Sequence, residues 1–257
     1  MLSIGLTSVT FRSLPWEQVL SVCRDAGLSS IEWGGDVHVP AGDIDRAAAV
    51  AHATAAAHLR VASYGAYYRC GEDSDEAFRM HLETARALGA PILRLWAGSR
   101  GSADTSAANY ERFVLQTRAQ CILAREAGVM PAFEYHPRTL TDRAESACRL
   151  VRDIGDTLCG VYYQYDPSLT KGENVRTLTA LLPYLKMVHV FYVDPQFRRL
   201  SLSDPGGVEL WRELCAVLRV AGVTVDLLFE FLAETTSEAL CREADCLRAV
   251  LEAEEMV

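Results

Sequence analysis

No stretch of this 257-residue chain stays apolar long enough to cross a bilayer, which excludes a helical membrane protein. Nothing at its start has the make-up of a secretory leader. Ser3-Ile4-Gly5-Leu6-Thr7 already has the pattern of a strand, so a cytoplasmic setting is expected. Proline, glycine and serine never cluster into a linker, and no charge run or low-complexity tract divides the chain. One domain over residues 1–257 is therefore expected. Basic residues are in short supply, with 25 Lys and Arg against 34 Asp and Glu for a net charge of −9. Such a field repels phosphate backbones and anionic lipid, which argues against nucleic acid and membrane surfaces as partners. Eight cysteines are present, none in CxxC spacing. Most lie on the apolar side of predicted helices, as Cys23 does with Trp16, Val19 and Leu20, so reduced and buried thiols are expected. No GxGxxG follows the first strand, which leaves a dinucleotide-binding fold without its fingerprint.

What is present is apolar and regular. Half the residues are hydrophobic, enough for a large core. Strands are expected over 2–8, 30–33, 60–64, 91–96, 129–137, 160–166, 186–191 and 223–231. Helices are expected over about 15–26, 44–59, 74–88, 103–127, 140–154, 172–182, 207–220 and 237–252. Strands that alternate with helices imply parallel pairing with right-handed crossovers. Eight such units at about 30 residues each fit an α/β fold of the (β/α)8 TIM-barrel type best. An open doubly wound sheet is the alternative.

Four of these strands end on a residue that an apolar strand does not ordinarily carry. In strand five, alternation puts Ala132, Glu134 and His136 on one face and Phe133 and Tyr135 on the other. Strand six ends at Gln164 or Asp166, strand seven at His189 and strand eight at Glu230. A buried acid needs a partner or a metal. Barrel active sites lie at the C-terminal strand ends, and neighbouring strands are about 4.8 Å apart, so inward side chains there can converge on one ion. Two carboxylates, an imidazole and a further oxygen suit Mn²⁺, Mg²⁺, Co²⁺ or Zn²⁺. The candidate ligands are Glu134, Gln164, His189 and Glu230. On strand six, Asp166 has the better charge for a hard cation and Gln164 sits deeper. Gln164 is slightly favoured as ligand, with Asp166 near the substrate, and the choice stays open.

Glu32 and Arg94 are a second anomaly. They form either an ion pair inside the barrel or a device in which Arg94 orients Glu134 or a substrate oxygen. Trp33, Tyr64, Trp96 and Phe191 lie at or near the same rim, where an aromatic wall suits the C–H face of a sugar. Ordinary core packing is the alternative for each. His38, Tyr68, His136 and Arg198 fall in rim loops and could bond hydroxyls or a phosphate. The candidate substrate contacts are Trp33, His38, Tyr68, Arg94, Trp96, His136, Asp166 and Arg198. His52, His58 and His81 lie on outer helices and receive no role.

Five segments resemble the xylose isomerase-like TIM-barrel family, the sugar phosphate isomerase and epimerase group, and the resemblance covers the whole length. They are Ile31-Glu32-Trp33-Gly34-Gly35-Asp36-Val37-His38-Val39-Pro40, Leu93-Arg94-Leu95-Trp96-Ala97-Gly98, Phe133-Glu134-Tyr135-His136, Val188-His189-Val190-Phe191 and Leu228-Phe229-Glu230-Phe231. The resemblance implies a divalent metal held by Glu, Asp, His and Glu at strands five to eight, and Glu134, His189 and Glu230 match three of these. The family often has Asp-x-x-His on strand six. Here the third residue after Gln164 is Pro167, and after Asp166 it is Leu169, so that histidine is missing.

The resemblance further implies a small sugar or sugar phosphate as partner, is compatible with a homo-oligomer, and points to an isomerase or epimerase. The metal would chelate a carbonyl and its neighbouring hydroxyl, with Glu134 and Glu230 on opposite faces of the carbon as catalytic proton carriers. An inosose-type dehydratase in the same site and a non-catalytic sugar-binding barrel are the alternatives. The outline is also similar to the apurinic-site endonuclease branch, but the extra histidines of a trinuclear zinc site are absent and the net charge opposes duplex binding.

Overall fold

The computed structural model describes residues 1–253. Eight parallel strands form the barrel: β1 Leu2–Thr7, β2 Ser30–Gly34, β3 Arg60–Arg69, β4 Ile92–Trp96, β5 Met130–Glu134, β6 Gly160–Tyr163, β7 Leu185–Val190 and β8 Val225–Phe229. β1 pairs with β2 on one side and β8 on the other, so the sheet closes on itself and the open doubly wound alternative falls. The helices between them are α1 Trp16–Asp25, α2 Ile44–Ala56, α3 Asp75–Ala87, α4 Ala107–Glu126, α5 Ala144–Ile154, α6 Lys171–Leu181, α7 Pro205–Val220 and α8 Ser237–Ala253. Among the described residues no helix is long and apolar enough to cross a membrane.

Local chemistry sets most helix starts. Ser74 accepts from the Ala77 N–H, Ser106 from Asn109, and Thr170 from Glu173, whose carboxylate returns the bond to Thr170 N–H. Gly89 and Gly128, with φ of 69° and 80°, make the left-handed exits of α3 and α4 that a side chain would oppose. The main core lies between barrel and helices. A smaller cluster of Ala62, Ala132, Tyr162, Met187 and Leu228 fills the barrel interior. All eight cysteines are free, six of them buried.

Three departures from the expected elements matter for the mouth. First, β3 runs to Arg69 and carries a bulge: Ile31 pairs with Val61 but Glu32 pairs with Ser63, so Ala62 is the extra residue. A one-residue bulge flips every later side chain to the other face. Second, α5 starts at Ala144 because Thr139 and Thr141 shape the loop before it. Their hydroxyls donate to the carbonyls of His136 and Glu134 at 2.7 and 2.6 Å. Third, the polar loop after β7 contains a short antiparallel ribbon, Tyr192–Val193 against Arg199–Leu200.

Candidate metal centre

Glu134 is the last residue of β5, and His189 stands one before the end of β7. Glu230 directly follows β8, and Gln164 directly follows β6. Each continues the inward series of its strand, behind Ala132, Met187, Leu228 and Tyr162 respectively. One donor atom from each of Glu134, His189 and Glu230 lies within 4.8 Å of the others, and all three side chains are buried. His189 Nδ1 is 3.4 Å from Glu230 Oε2 and 3.7 Å from Glu134 Oε1.

The donors fit a divalent cation. Glu230 Oε2, both His189 nitrogens and Gln164 Oε1 are buried without a hydrogen-bond partner. Buried polar atoms are rarely left so, because each forfeits its hydration. Two carboxylates, an imidazole and an amide oxygen form a mixed oxygen and nitrogen set suited to Mn²⁺, Mg²⁺, Co²⁺ or Zn²⁺. Asp166 is half-buried, and its Oδ1 already accepts from Ser168 N–H and Oγ at 2.8 and 2.6 Å. That leaves Gln164 as the deeper, unpartnered group on this strand.

A layer of charge backs the donors. Arg94 is 2% exposed. Its Nη1 donates to Glu134 Oε2 at 2.5 Å and its Nε lies 3.2 Å from Glu32 Oε1. Both expected roles are thus present in one side chain: an interior pair with Glu32 and a hold on Glu134. Ser63, brought inward by the bulge, donates to Glu32 Oε2 at 2.7 Å. Gly65 is there for space, since a Cβ would stand 2.8 Å from Arg94 Nη2 and 3.0 Å from Glu32 Oε1.

The field divides the acids. Burial disfavours the Glu134 anion, but the Arg94 guanidinium, His189 and His136 together outweigh it and hold the carboxyl below its ordinary range. For Glu230, burial and the Glu134 charge prevail over His189 and Arg94, pushing it up to about 7. Burial would lower His189, but Glu230, joined by Glu134 and Glu32, lifts it to about 10.

The rim is assembled differently from expectation. Trp96 and His136 come together, their rings stacked with centroids 5.0 Å apart, and the Arg69 guanidinium lies 3.9 Å from the indole. Four expected substrate contacts are corrected. Trp33 follows inward Glu32, so alternation sends it outward, fully buried with Nε1 donating to Thr54 of α2 at 3.1 Å. His38 is buried with Nδ1 2.9 Å from Ser8 Oγ and Nε2 3.0 Å from the Leu14 carbonyl, which ties down the β2–α2 loop. Tyr68 lies past the bulge on the outer face, where its hydroxyl donates to the Asp73 carbonyl and accepts from Gln120. Arg198 turns to Asp194 at 2.5 Å, away from the mouth. Tyr64, of the expected aromatic wall, is likewise outward and donates to the Val39 carbonyl.

Sequence reasoning missed their neighbours. Tyr67, not Tyr68, comes to the mouth, 5.6 Å from the Arg94 guanidinium and bonded by Arg12, itself paired with Asp36 at 2.7 Å. Arg199, not Arg198, lines the cavity beside Gln164. The bulge could have been suspected only from Ser63 following Ala62, and nothing periodic marks Arg199 in its loop.

The sequence profile of the xylose isomerase-like TIM barrel family matches residues 20–223. The chain belongs to that family. Among curated proteins no sequence match is significant. Solved family folds superpose over nearly the whole length. The probable 3-DHS dehydratase of Bacillus anthracis shares 18% identity, covers 96% of this chain and 98% of its own, and has a TM-score of 0.78. An L-ribulose 3-epimerase is 18% identical over 100% and 98%, with a TM-score of 0.77. A xylose isomerase-like TIM barrel protein of Mycobacterium smegmatis, in complex with magnesium, is 15% identical over 98% and 97%, with a TM-score of 0.72. At such identities these structures share the fold of this family member.

Proposed function

We propose that this protein is a divalent-metal-dependent isomerase or epimerase acting on a ketose or polyol ketone, with a small sugar or sugar phosphate as its partner in the cytoplasm. The observation that carries this reading is the meeting of Glu134, His189 and Glu230 at one barrel mouth, with buried donor atoms that have no hydrogen-bond partner. Glu134, Gln164, His189 and Glu230 would hold the cation, which supplies Lewis-acid polarisation of a carbonyl and so acidifies the adjacent C–H. The magnesium in one structural neighbour and the epimerase activity named for another agree with it.

The chain's own groups do the rest. Glu230 and Glu134 are the proton carriers, one taking the proton from carbon and the other returning it on the opposite face. Arg94 fixes Glu134 through Oε2 and leaves Oε1 for the site. Asp166, Trp96 and His136 stand at the rim, where hydroxyls of a bound polyol would reach them. Deuterium uptake from heavy water into a panel of ketoses and inososes, with Mn²⁺, tests the proposal. Exchange is expected with the wild type and lost in Glu134→Gln; full exchange in that variant would refute the role of Glu134.

One observation favours a second reading. Arg94 grips Glu134 but not Glu230, so the two carboxylates are unequal as bases. A lyase needs one base beside the ketone, followed by departure of a β-hydroxyl as water. Mass spectrometry separates the two, because dehydration lowers the product mass by one water and epimerisation leaves it unchanged.

A further inference from the structure

Beside the metal centre lies a cavity of about 370 Å³, large enough for a small organic group. Gln164, a buried residue with Oε1 unpartnered, stands in its wall, so the cavity adjoins the proposed ligand set through this one residue. Much of the remaining wall is aromatic. Phe191 packs against Tyr165 at 5.0 Å and against Phe231 at 5.4 Å, and the Tyr165 hydroxyl is already used on the Val193 carbonyl at 2.8 Å. Phe197 also lines the cavity. It sits between the ribbon strands, 67% exposed, with φ of 60°.

One cation stands in this wall. Arg199 lies with its guanidinium 4.9 Å from the Phe231 ring and makes no ion pair among the described residues, whereas its neighbour Arg198 is paired with Asp194. Asp166 also lines the cavity, but its Oδ1 is occupied by Ser168. The part of the wall made by Phe191, Phe197 and Phe231 penalises hydroxyls, which lose water there without gaining partners. It rewards a flat apolar group. A planar guanidinium at its edge matches the oxygens of a carboxylate or phosphate.

The geometry points to a tail subsite that takes a flat apolar group ending in an anion, so that the hydroxy ketone turned over at the metal centre carries such a tail. The last clause rests on the isomerase reading given above; the subsite itself does not. The test is equilibrium binding of phenylacetate, phenyl phosphate and 2-phenylethanol to the purified protein, with and without Mn²⁺. The wild type is expected to bind at least one of the anions about tenfold or more tighter than the alcohol, and the better anion identifies which group is recognised. Arg199→Gln should erase that preference, Arg198→Gln should leave it intact, and Phe231→Leu should weaken all three probes. Equal binding of anion and alcohol, a preference that survives Arg199→Gln, or no binding of any probe would overturn the subsite. Heavy-water exchange on ketoses in a protein that fails this test would leave the isomerase reading standing without the subsite. Binding without exchange on any hydroxy ketone would leave the subsite and remove the isomerase.

Discussion

The two ends of the barrel both bury charge, and they complete its bonding differently. At the N-terminal end, Asp226 accepts from Ser30 Oγ at 3.1 Å and from Arg60 through Nη1 at 3.3 Å and Nη2 at 2.6 Å. Both carboxylate oxygens are engaged, and the cation that engages them reaches water. At the C-terminal end, Glu32, Glu134 and Glu230 face Arg94 and His189, yet Glu32 Oε1, Glu230 Oε2 and both imidazole nitrogens have no hydrogen-bond partner. A fold can afford the first arrangement for stability alone. The second leaves buried atoms that a divalent cation would satisfy once His189 gives up its proton, and this sets the C-terminal end apart from the other.

Substitutions at matched positions sharpen the contrast. Glu230→Gln at the C-terminal end should lower substrate-proton exchange by about 10²–10⁴-fold, the range for loss of a positioned proton carrier, whereas Asp226→Asn should leave exchange unchanged. Arg94→Met should destabilise the fold by about 3–5 kcal/mol in urea titration, because it strands Glu32 and Glu134 as buried anions.

Metal addition comes next. At a hundredfold excess over its dissociation constant, Mn²⁺ should raise stability by about 2.7 kcal/mol, and less as pH falls. The sign follows from the two raised groups. Glu230, at about 7, takes up a proton below that pH, and His189, at about 10, keeps one through neutrality. Both protons must leave before the side chains can ligate, so uptake should release protons and the gap in Tm between loaded and stripped protein should widen from pH 5 towards pH 9 (roughly the span between these pKa values and the ordinary carboxylate range). Stripped protein should lose stability over the same rise, since each folded-state value lies above its unfolded one. Asp226→Asn should cost about 1 kcal/mol, because its Arg60 partner is 56% exposed and screened. Thr54→Val should cost at most about 1 kcal/mol and leave KM unchanged, as expected if Trp33 serves packing alone.

Much of this arrangement could be read before any coordinates. Glu134, His189 and Glu230 stood out because each interrupts an apolar strand at its C-terminal end, and barrel closure brings those ends together. Glu32 and Arg94 are legible as an interior pair because alternate strands of a barrel share an interior layer. What escaped was parity and loop geometry. Trp33 could have been excluded, since Glu32 facing inward forces its neighbour outward. Tyr67 rather than Tyr68 reaches the mouth because one extra residue at Ala62 shifts the alternation, and a bulge leaves almost no trace in composition. Arg199 rather than Arg198 lines the cavity, and no period reveals this in a ribbon loop, where Asp194 decides which arginine it holds.

The most direct measurement is anomalous diffraction from crystals grown with Mn²⁺. One peak bounded by Glu134, His189 and Glu230, with the Gln164 carbonyl oxygen among its ligands, is the expected result. A fully loaded protein with no peak there, and with His189 still lying between the carboxylates of Glu134 and Glu230, would contradict it.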